Sequence, residues 1–237
     1  MKIDKQTDVV YPVKLTRNGN RELRLSLRSL SNIPHRNVYV LAPEAPEWLS
    51  ECVRFIKCTD EHISYENVNR KLLEACRQDD LSDNFIYMND DIFFMAKMTE
   101  IPYWALNNSL QTRLDEYKVS GLGAYAQDLM KTKQYLESNG FSIIDFESHS
   151  PIVFNKHILE QILVQNIRLG HRHTLYGNIT KAKPTYLDQD FKLYFTDGKI
   201  DENQPVISTI EEAFQHNCMV SRYLENKFAN KSIYEVE

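Results

Sequence analysis

The chain reads as an α/β fold on a largely parallel sheet, and three observations lead there. Short apolar, β-branched runs alternate with helix-spaced leucines in the order strand, helix, strand, strand, helix, strand over about the first hundred residues. Two adjacent carboxylates, Asp90 and Asp91, stand between the apolar runs Phe85-Ile86-Tyr87-Met88 and Ile92-Phe93-Phe94. In open α/β sheets ligands lie at the carboxyl ends of strands, which is where Asn89-Asp90-Asp91 falls. Thirdly, no repeat, low-complexity tract or composition break marks a linker across the 237 residues.

Asp8-Val9-Val10-Tyr11-Pro12-Val13-Lys14 is the first expected strand, stopped by the turn signal Arg17-Asn18-Gly19-Asn20. Residues 21–31 place Leu23, Leu27 and Leu30 at helical spacing, with Asn20 as N-cap and Glu22 in the first turn. Asn37-Val38-Tyr39-Val40-Leu41 and Val53-Arg54-Phe55-Ile56-Lys57 are the second and third strands. A helix over Tyr65–Arg77 turns Val68, Leu72 and Ala75 inward, and Phe85–Met88 is the fourth strand. Further on, Ala124–Asn139 reads as a helix stopped by Gly140, Ser142–Phe146 as a short strand, and Phe154–Ile167 and Thr209–Phe228 as helices.

Composition bounds the function class. Hydrophobic residues make up 42% and charged residues 26%, ordinary for a globular protein. A net charge of −5 argues against a broad grip on nucleic acid. No stretch has the apolar length of a membrane span, and Met1-Lys2-Ile3-Asp4 lacks a signal-peptide pattern, so a cytoplasmic location is expected. Cys52, Cys58, Cys76 and Cys218 show no CxxC spacing and are expected as reduced thiols, some of them in the core. The 13 Tyr and 11 Phe suit a binding cleft and a plain core equally.

Burying two carboxylates among apolar residues is costly unless they are paired or bind a metal. Nucleotide-sugar transferases hold a divalent cation at a strand edge in this way, and hard oxygen ligands suit Mg²⁺ or Mn²⁺. The alternative is a turn between two hairpin strands. Arg24 and Arg28 share a helix surface after a polar turn, which suits phosphate oxygens or a solvated face. His149, in Glu147-Ser148-His149-Ser150-Pro151, suits a general base or a structural loop histidine. His171-Arg172-His173 could clamp a diphosphate, or, as His-x-His on a strand, contact a metal. Asp188 and Asp190 offer a further oxygen ligand or a solvated loop.

The ordered series Asp8-Val9-Val10-Tyr11, Glu22-Leu23-Arg24-Leu25-Ser26-Leu27-Arg28-Ser29 and Asn89-Asp90-Asp91-Ile92-Phe93-Phe94 resembles the Stealth family. That family comprises capsular polysaccharide phosphotransferases and the N-acetylglucosamine phosphotransferase of lysosomal enzymes, and His149-Ser150-Pro151 is similar to its later His-x-Pro element. The family's Trp-Val-x-Gly after the first strand is replaced by Pro12-Val13-Lys14-Leu15. The resemblance implies a GT-A-like core, a mostly parallel sheet flanked by helices, in one domain over residues 1–237. Residues 1–100 would hold nucleotide and metal, and 101–237 the acceptor.

It further implies transfer of a sugar-1-phosphate from a UDP-sugar to a hydroxyl of a glycan or polysaccharide acceptor, with Mn²⁺ or Mg²⁺. Asp90 and Asp91 would serve the metal, with Asp91, His149 and Arg172 as the catalytic set and His149 as base. Asp8, Tyr11, Asn20, Arg24, Arg28, Asn89 and His171 would face the donor. Two alternatives stay open: transfer of the sugar itself with release of UDP, and a carbohydrate-binding protein without chemistry.

Overall fold

The computed structural model describes residues 1–16, 19–107, 109–120, 123–215 and 218–236. The chain opens with β1 (Asp8–Pro12), α1 (Arg21–Ser29), a 3-10 turn at Leu30–Asn32, β2 (Val38–Ala42) and β3 (Arg54–Lys57). Next come α2 (Ser64–Cys76), β4 (Asn84–Tyr87), β5 (Ile92–Phe94) and β6 (Tyr103–Leu106). The later elements are α3 (Leu110–Ser120), α4 (Ala124–Ser138), β7 (Ile152–Asn155), α5 (Lys156–Asn166) and α6 (Arg172–Ile179). After them come β8 (Pro184–Leu187), β9 (Val206–Ser208), α7 (Glu212–Gln215) and α8 (Met219–Lys227).

The central sheet has the order β3-β2-β1-β4-β7. Its first four strands run parallel and β7 is antiparallel on β4, pairing Ile86 with Val153. All five residues of β1 are buried, as befits a central parallel strand covered on both faces. Strand alternation sends Val9 and Tyr11 into one core with Leu23 and Leu27 of α1, and Val10 into another with Leu72 of α2 and Leu163 of α5. A third cluster joins Phe93 to Ile207, Phe214 and Leu224 under the last helices. Cys76 and Cys218 are buried within these cores. Among the described residues no helix is long and apolar enough to cross a membrane.

Four local expectations are corrected. Asn20 holds the N-cap position of α1 at φ 56° without a capping side-chain bond; its amide donates to Lys14 O at 2.8 Å and closes the loop after β1. Of the turn expected there, Gly19 has φ 72°, while Arg17 and Asn18 lie outside the described residues. Ser142–Phe146 forms no strand beyond the bridge of Ile144 to Ser109, because the Asn178 amide takes over the ladder. Its Nδ2 donates to Ile144 O at 2.8 Å, and its Oδ1 accepts from Ile144 N at 3.0 Å. Phe154 belongs to β7, and the helix starts two residues later, where Asn155 Oδ1 accepts from Ile158 N at 3.2 Å. Lastly, the expected helix over Thr209–Phe228 is two helices, α7 and α8, and His216 and Asn217 between them lie outside the described residues.

Candidate active site at the carboxyl edge of the sheet

β1 and β4 are neighbours and both end at the same edge, at Pro12 and Tyr87. Asn89-Asp90-Asp91 follows β4 in a tight turn, with Ile92 N donating to Asn89 O at 3.3 Å. This is not a hairpin, since β5 leaves the sheet and pairs antiparallel with β9. The chain therefore leaves the sheet at this edge, and Asn89 and Asp90 enter the space beyond it.

That space is two adjoining cavities sharing Ser64, Val68 and Asn89 as common wall. The first, about 330 Å³, has Lys14, Asp60, Lys71 and Asp90 in its lining. Lys71 is 2% exposed, and its Nζ donates to Val13 O at 2.7 Å while pairing with Asp60 Oδ1 at 2.6 Å. A buried ammonium is tolerated only with such partners. Here they fix the backbone just past β1. A further cavity of about 470 Å³ lies between the 198–203 loop and α8, where its charged side chains, Lys199, Asp201 and Glu202, are exposed.

Asp90 and Asp91 are half-buried. Burial, with the nearby Asp91 and Glu22 carboxylates, pushes the Asp90 carboxyl up to about 7. Asp91 Oδ2 accepts from Ser208 Oγ at 3.1 Å and from Lys192 Nζ at 2.6 Å, while its buried Oδ1 has no partner. Asp90 and the unsatisfied Oδ1 of Asp91 therefore fit a divalent cation, which would relieve the crowding of negative charge. No group of three or more His, Cys, Asp and Glu among the described residues is set to hold a metal. Mg²⁺ commonly takes one or two carboxylates and completes its shell with substrate phosphates and water.

The second cavity, about 430 Å³, contains Tyr65, Tyr125, Asp128, His149, His171 and Arg172 in its wall. His149 adopts φ 48°, a left-handed conformation uncommon outside glycine. Its Nδ1 lies 3.1 Å from Asp190 Oδ2, which also accepts from the Tyr194 hydroxyl at 3.0 Å. Burial works against the Asp190 charge, but the His149 contact and these hydrogen bonds hold its carboxyl below its ordinary value. With Nδ1–H donated to Asp190, Nε2 is the nitrogen left to accept a proton.

Arg172 is buried, its Nε donating to Asn69 Oδ1 and its Nη1 to the Tyr87 hydroxyl, both at 3.1 Å. The Tyr87 hydroxyl in turn donates to Asn89 Oδ1, so the guanidinium of one cavity orients the amide shared by both. The histidine pair flanks the first turn of α6, with His171 at the N-cap, so the His-x-His strand geometry does not arise. Burial alone would raise the Glu147 carboxyl, yet His173, His171, Arg172 and the Thr174 N–H bring it down to about 2. Burial holds His173 itself down at about 4, so its ring is neutral at pH 7 and accepts no role as a cation.

Of the residues singled out in the sequence, Asn89, Asp90, His149, His171 and Arg172 come together around these cavities, while Asp91, next in the chain to Asp90, is held by Lys192 and Ser208 outside their lining. Five others do not line them. Asp8 sits at the amino end of β1, fully buried against Arg36 (2.6 and 2.8 Å) and the Ser82 and Asn37 amides, so it faces away from the ligand edge. Tyr11 is buried, its hydroxyl 3.0 Å from Ser26 Oγ, and burial raises its pKa. Asn20 closes the loop described above. Arg24 and Arg28 both pair with Glu235 at 2.7 Å, and Arg24 also lies over the Trp48 ring at 5.1 Å. A buried carboxylate 207 residues along the chain from Arg28 thus takes both guanidinium groups in place of phosphate.

Lys71 and the Asp190 contact were not assigned from the sequence. Lys71 carries a legible sign, a lysine three residues after Val68 on the inward stripe of α2. Asp190 carries none, since its partner lies 41 residues away.

No protein-family model matches the chain, and no curated protein matches it in sequence. Among solved structures, several glycosyltransferases are similar to it at low sequence identity. The galactosyltransferase LgtC, crystallised with donor and acceptor sugar analogues, aligns at TM-score 0.52 and 12% identity over 95% of this chain and 96% of its own. The glycosyltransferase GlyE of Streptococcus pneumoniae gives 0.41 at 14% identity, over 78% of this chain. The present chain spans 46% of GlyE. Mouse xyloside xylosyltransferase 1 gives 0.38 at 10% identity, over 78% of this chain and 85% of its own. The fold is that of a GT-A-like glycosyltransferase, a mixed α/β core with a mostly parallel sheet flanked by helices.

Proposed function

We propose that the chain is a metal-dependent nucleotide-sugar transferase that moves a sugar-1-phosphate from a UDP-sugar to a hydroxyl of a glycan. One observation carries the reading: His149, braced by Asp190, lines a cavity with His171 and Arg172 beside the strand-end carboxylates, across the shared wall at Asn89. The donor diphosphate would occupy the first cavity, near Asp90, Lys14 and Lys71. His149 takes the acceptor proton, the acceptor oxygen bonds to the sugar-proximal phosphorus, and the bond from that phosphorus to the UMP oxygen breaks. Arg172 and Lys192 supply positive charge near the developing phosphoryl charge, which is the main catalytic requirement of such transfers. A cation on Asp90 and Asp91 would add Lewis-acid stabilisation of the diphosphate oxygens.

A second reading is favoured by the full-length fold likeness to the galactosyltransferase. There the acceptor attacks the anomeric carbon and UDP leaves. Incubating the protein with UDP-sugars, Mn²⁺ or Mg²⁺ and a pool of glycan acceptors separates them: UMP indicates sugar-phosphate transfer and UDP indicates sugar transfer. Neither product, with no nucleotide binding by calorimetry, overturns both.

A further inference from the structure

We infer that the second cavity is the acceptor site and takes an uncharged hexopyranose or N-acetylhexosamine, read by Asp128 and Tyr125; this rests on the transferase reading above. Asp128 is 3% exposed and lies in the cavity wall. Its Oδ2 accepts the Gly170 N–H at 2.7 Å, whereas Oδ1 is buried with no hydrogen-bond partner. Buried carboxylate oxygens are ordinarily satisfied, so Oδ1 is an acceptor awaiting a donor. A sugar hydroxyl is such a donor.

The wall is built to hold this carboxylate still. A Cβ at Gly170 would lie 2.6 Å from Asp128 Oδ2 and 2.9 Å from Tyr65 Cβ, so only glycine brings its N–H this close. His171 Nε2 lies 3.5 Å from the same Oδ2, and its Nδ1 3.9 Å from Glu147, so the imidazole leaves Asp128 Oδ1 unpartnered. Tyr125 packs edge-on against that imidazole at 4.7 Å between centroids, yet stays 42% exposed. A half-exposed ring with an apolar body and a polar tip suits the C–H surface of a pyranose. The volume of about 430 Å³ lies within the range of small-ligand sites.

Charge narrows the ligand further. Burial raises the Asp128 carboxyl while His171 and the Gly170 N–H favour its charged form; in that form Oδ1 is an acceptor only and disfavours the carboxylate of an acidic sugar. Arg172 gives Oδ1 no hydrogen bond, its Nε and Nη1 being committed to Asn69 and Tyr87. Because His149 shares the cavity, a hydroxyl of the bound ring is presented on the side of the proposed base.

The test is saturation-transfer NMR and calorimetry on the full chain with the methyl pyranosides of glucose, galactose, N-acetylglucosamine and glucuronic acid. At least one neutral glycoside is expected to bind, at least tenfold tighter than the glucuronide. In Asp128→Asn the Gly170 N–H selects the amide oxygen, so the amide nitrogen replaces Oδ1 and presents a donor. That variant is expected to lose neutral-glycoside affinity at least tenfold and to narrow the gap to the glucuronide. Tyr125→Ala, at a half-exposed position, is expected to weaken the same glycosides with the fold intact by circular dichroism. Wild-type protein that binds UDP but no neutral glycoside overturns the acceptor assignment alone, as does unchanged affinity in both variants. Protein that binds neither UDP nor any glycoside overturns the transferase reading with it.

Discussion

Replacing Asp190 with alanine is expected to slow transfer by about 10- to 150-fold through His149. The contact is 3.1 Å between a ring nitrogen and a carboxylate that is largely shielded from solvent. Hydrogen bonds to charged groups contribute roughly 1.5–3 kcal/mol, and each 1.4 kcal/mol is about a factor of ten. Removing the base outright, in His149→Ala, is expected to cost about 10²- to 10⁴-fold. If Asp190 acts only by orienting that imidazole, it has nothing to orient once the ring is gone. The double variant should then match His149→Ala within about threefold, since residues acting as a unit are not additive. Turnover would be followed as nucleotide release at saturating donor, with thermal melts as a control, because Asp190 also accepts from Tyr194 and the Lys192 N–H. A double variant slowed by the product of the two single effects, on intact fold, would refute the coupling.

Other expectations are simpler to state. Asp91→Asn and Asp90→Asn should each lower turnover by orders of magnitude and weaken Mn²⁺ in calorimetry; unchanged turnover in Asp91→Asn would sink the metal assignment. With the Asp90 carboxyl up at about 7, protons compete with the cation, so Mn²⁺ affinity should fall roughly tenfold per unit below that pH; a flat profile between pH 5.5 and 7.5 would count against it. Glu235, which burial alone would raise, is held down at about 2 by Arg28 and Ser232 against an ordinary 4.5, so its stabilisation is full above 4.5 and vanishes as pH falls towards 2. Glu235→Gln should therefore cost about 1–2 kcal/mol at pH 7, allowing for screening, and almost nothing at pH 2.5 in denaturant melts. Gly177→Ala would set a Cβ 2.5 Å from the buried Phe146 ring and should destabilise by about 1–3 kcal/mol, lowering the melting temperature by several degrees.

The elements legible in the sequence were those whose cause is local. β1, β2, β4, α1 and α2 follow from β-branched runs and helix-spaced apolar residues, and each lies within a residue or two of its expected place. The strand-end position of Asn89-Asp90-Asp91 was legible for the same reason. Ser142–Phe146 has the composition of a strand, but a single amide at Asn178 satisfies its backbone from another element. The placement of Arg24 and Arg28 was illegible in principle: identical spacing serves a phosphate or a carboxylate, and only the fold brings Glu235 beside them. The same holds for Asp190, whose meaning depends on a loop that returns to His149.

The segment from Asp190 to Lys192 has one more bearing on how such a site can change. Asp190 grips the proposed base, and two residues later Lys192 grips the strand-end carboxylate. Phe191 between them is anchored against Trp104 at 5.0 Å and by Ser208 N donating to its carbonyl at 2.8 Å. The proposed proton-accepting and cation-holding ends of the cleft are thus dimensioned by one short gauge of backbone. An insertion or deletion of a single residue here would misalign both ends together.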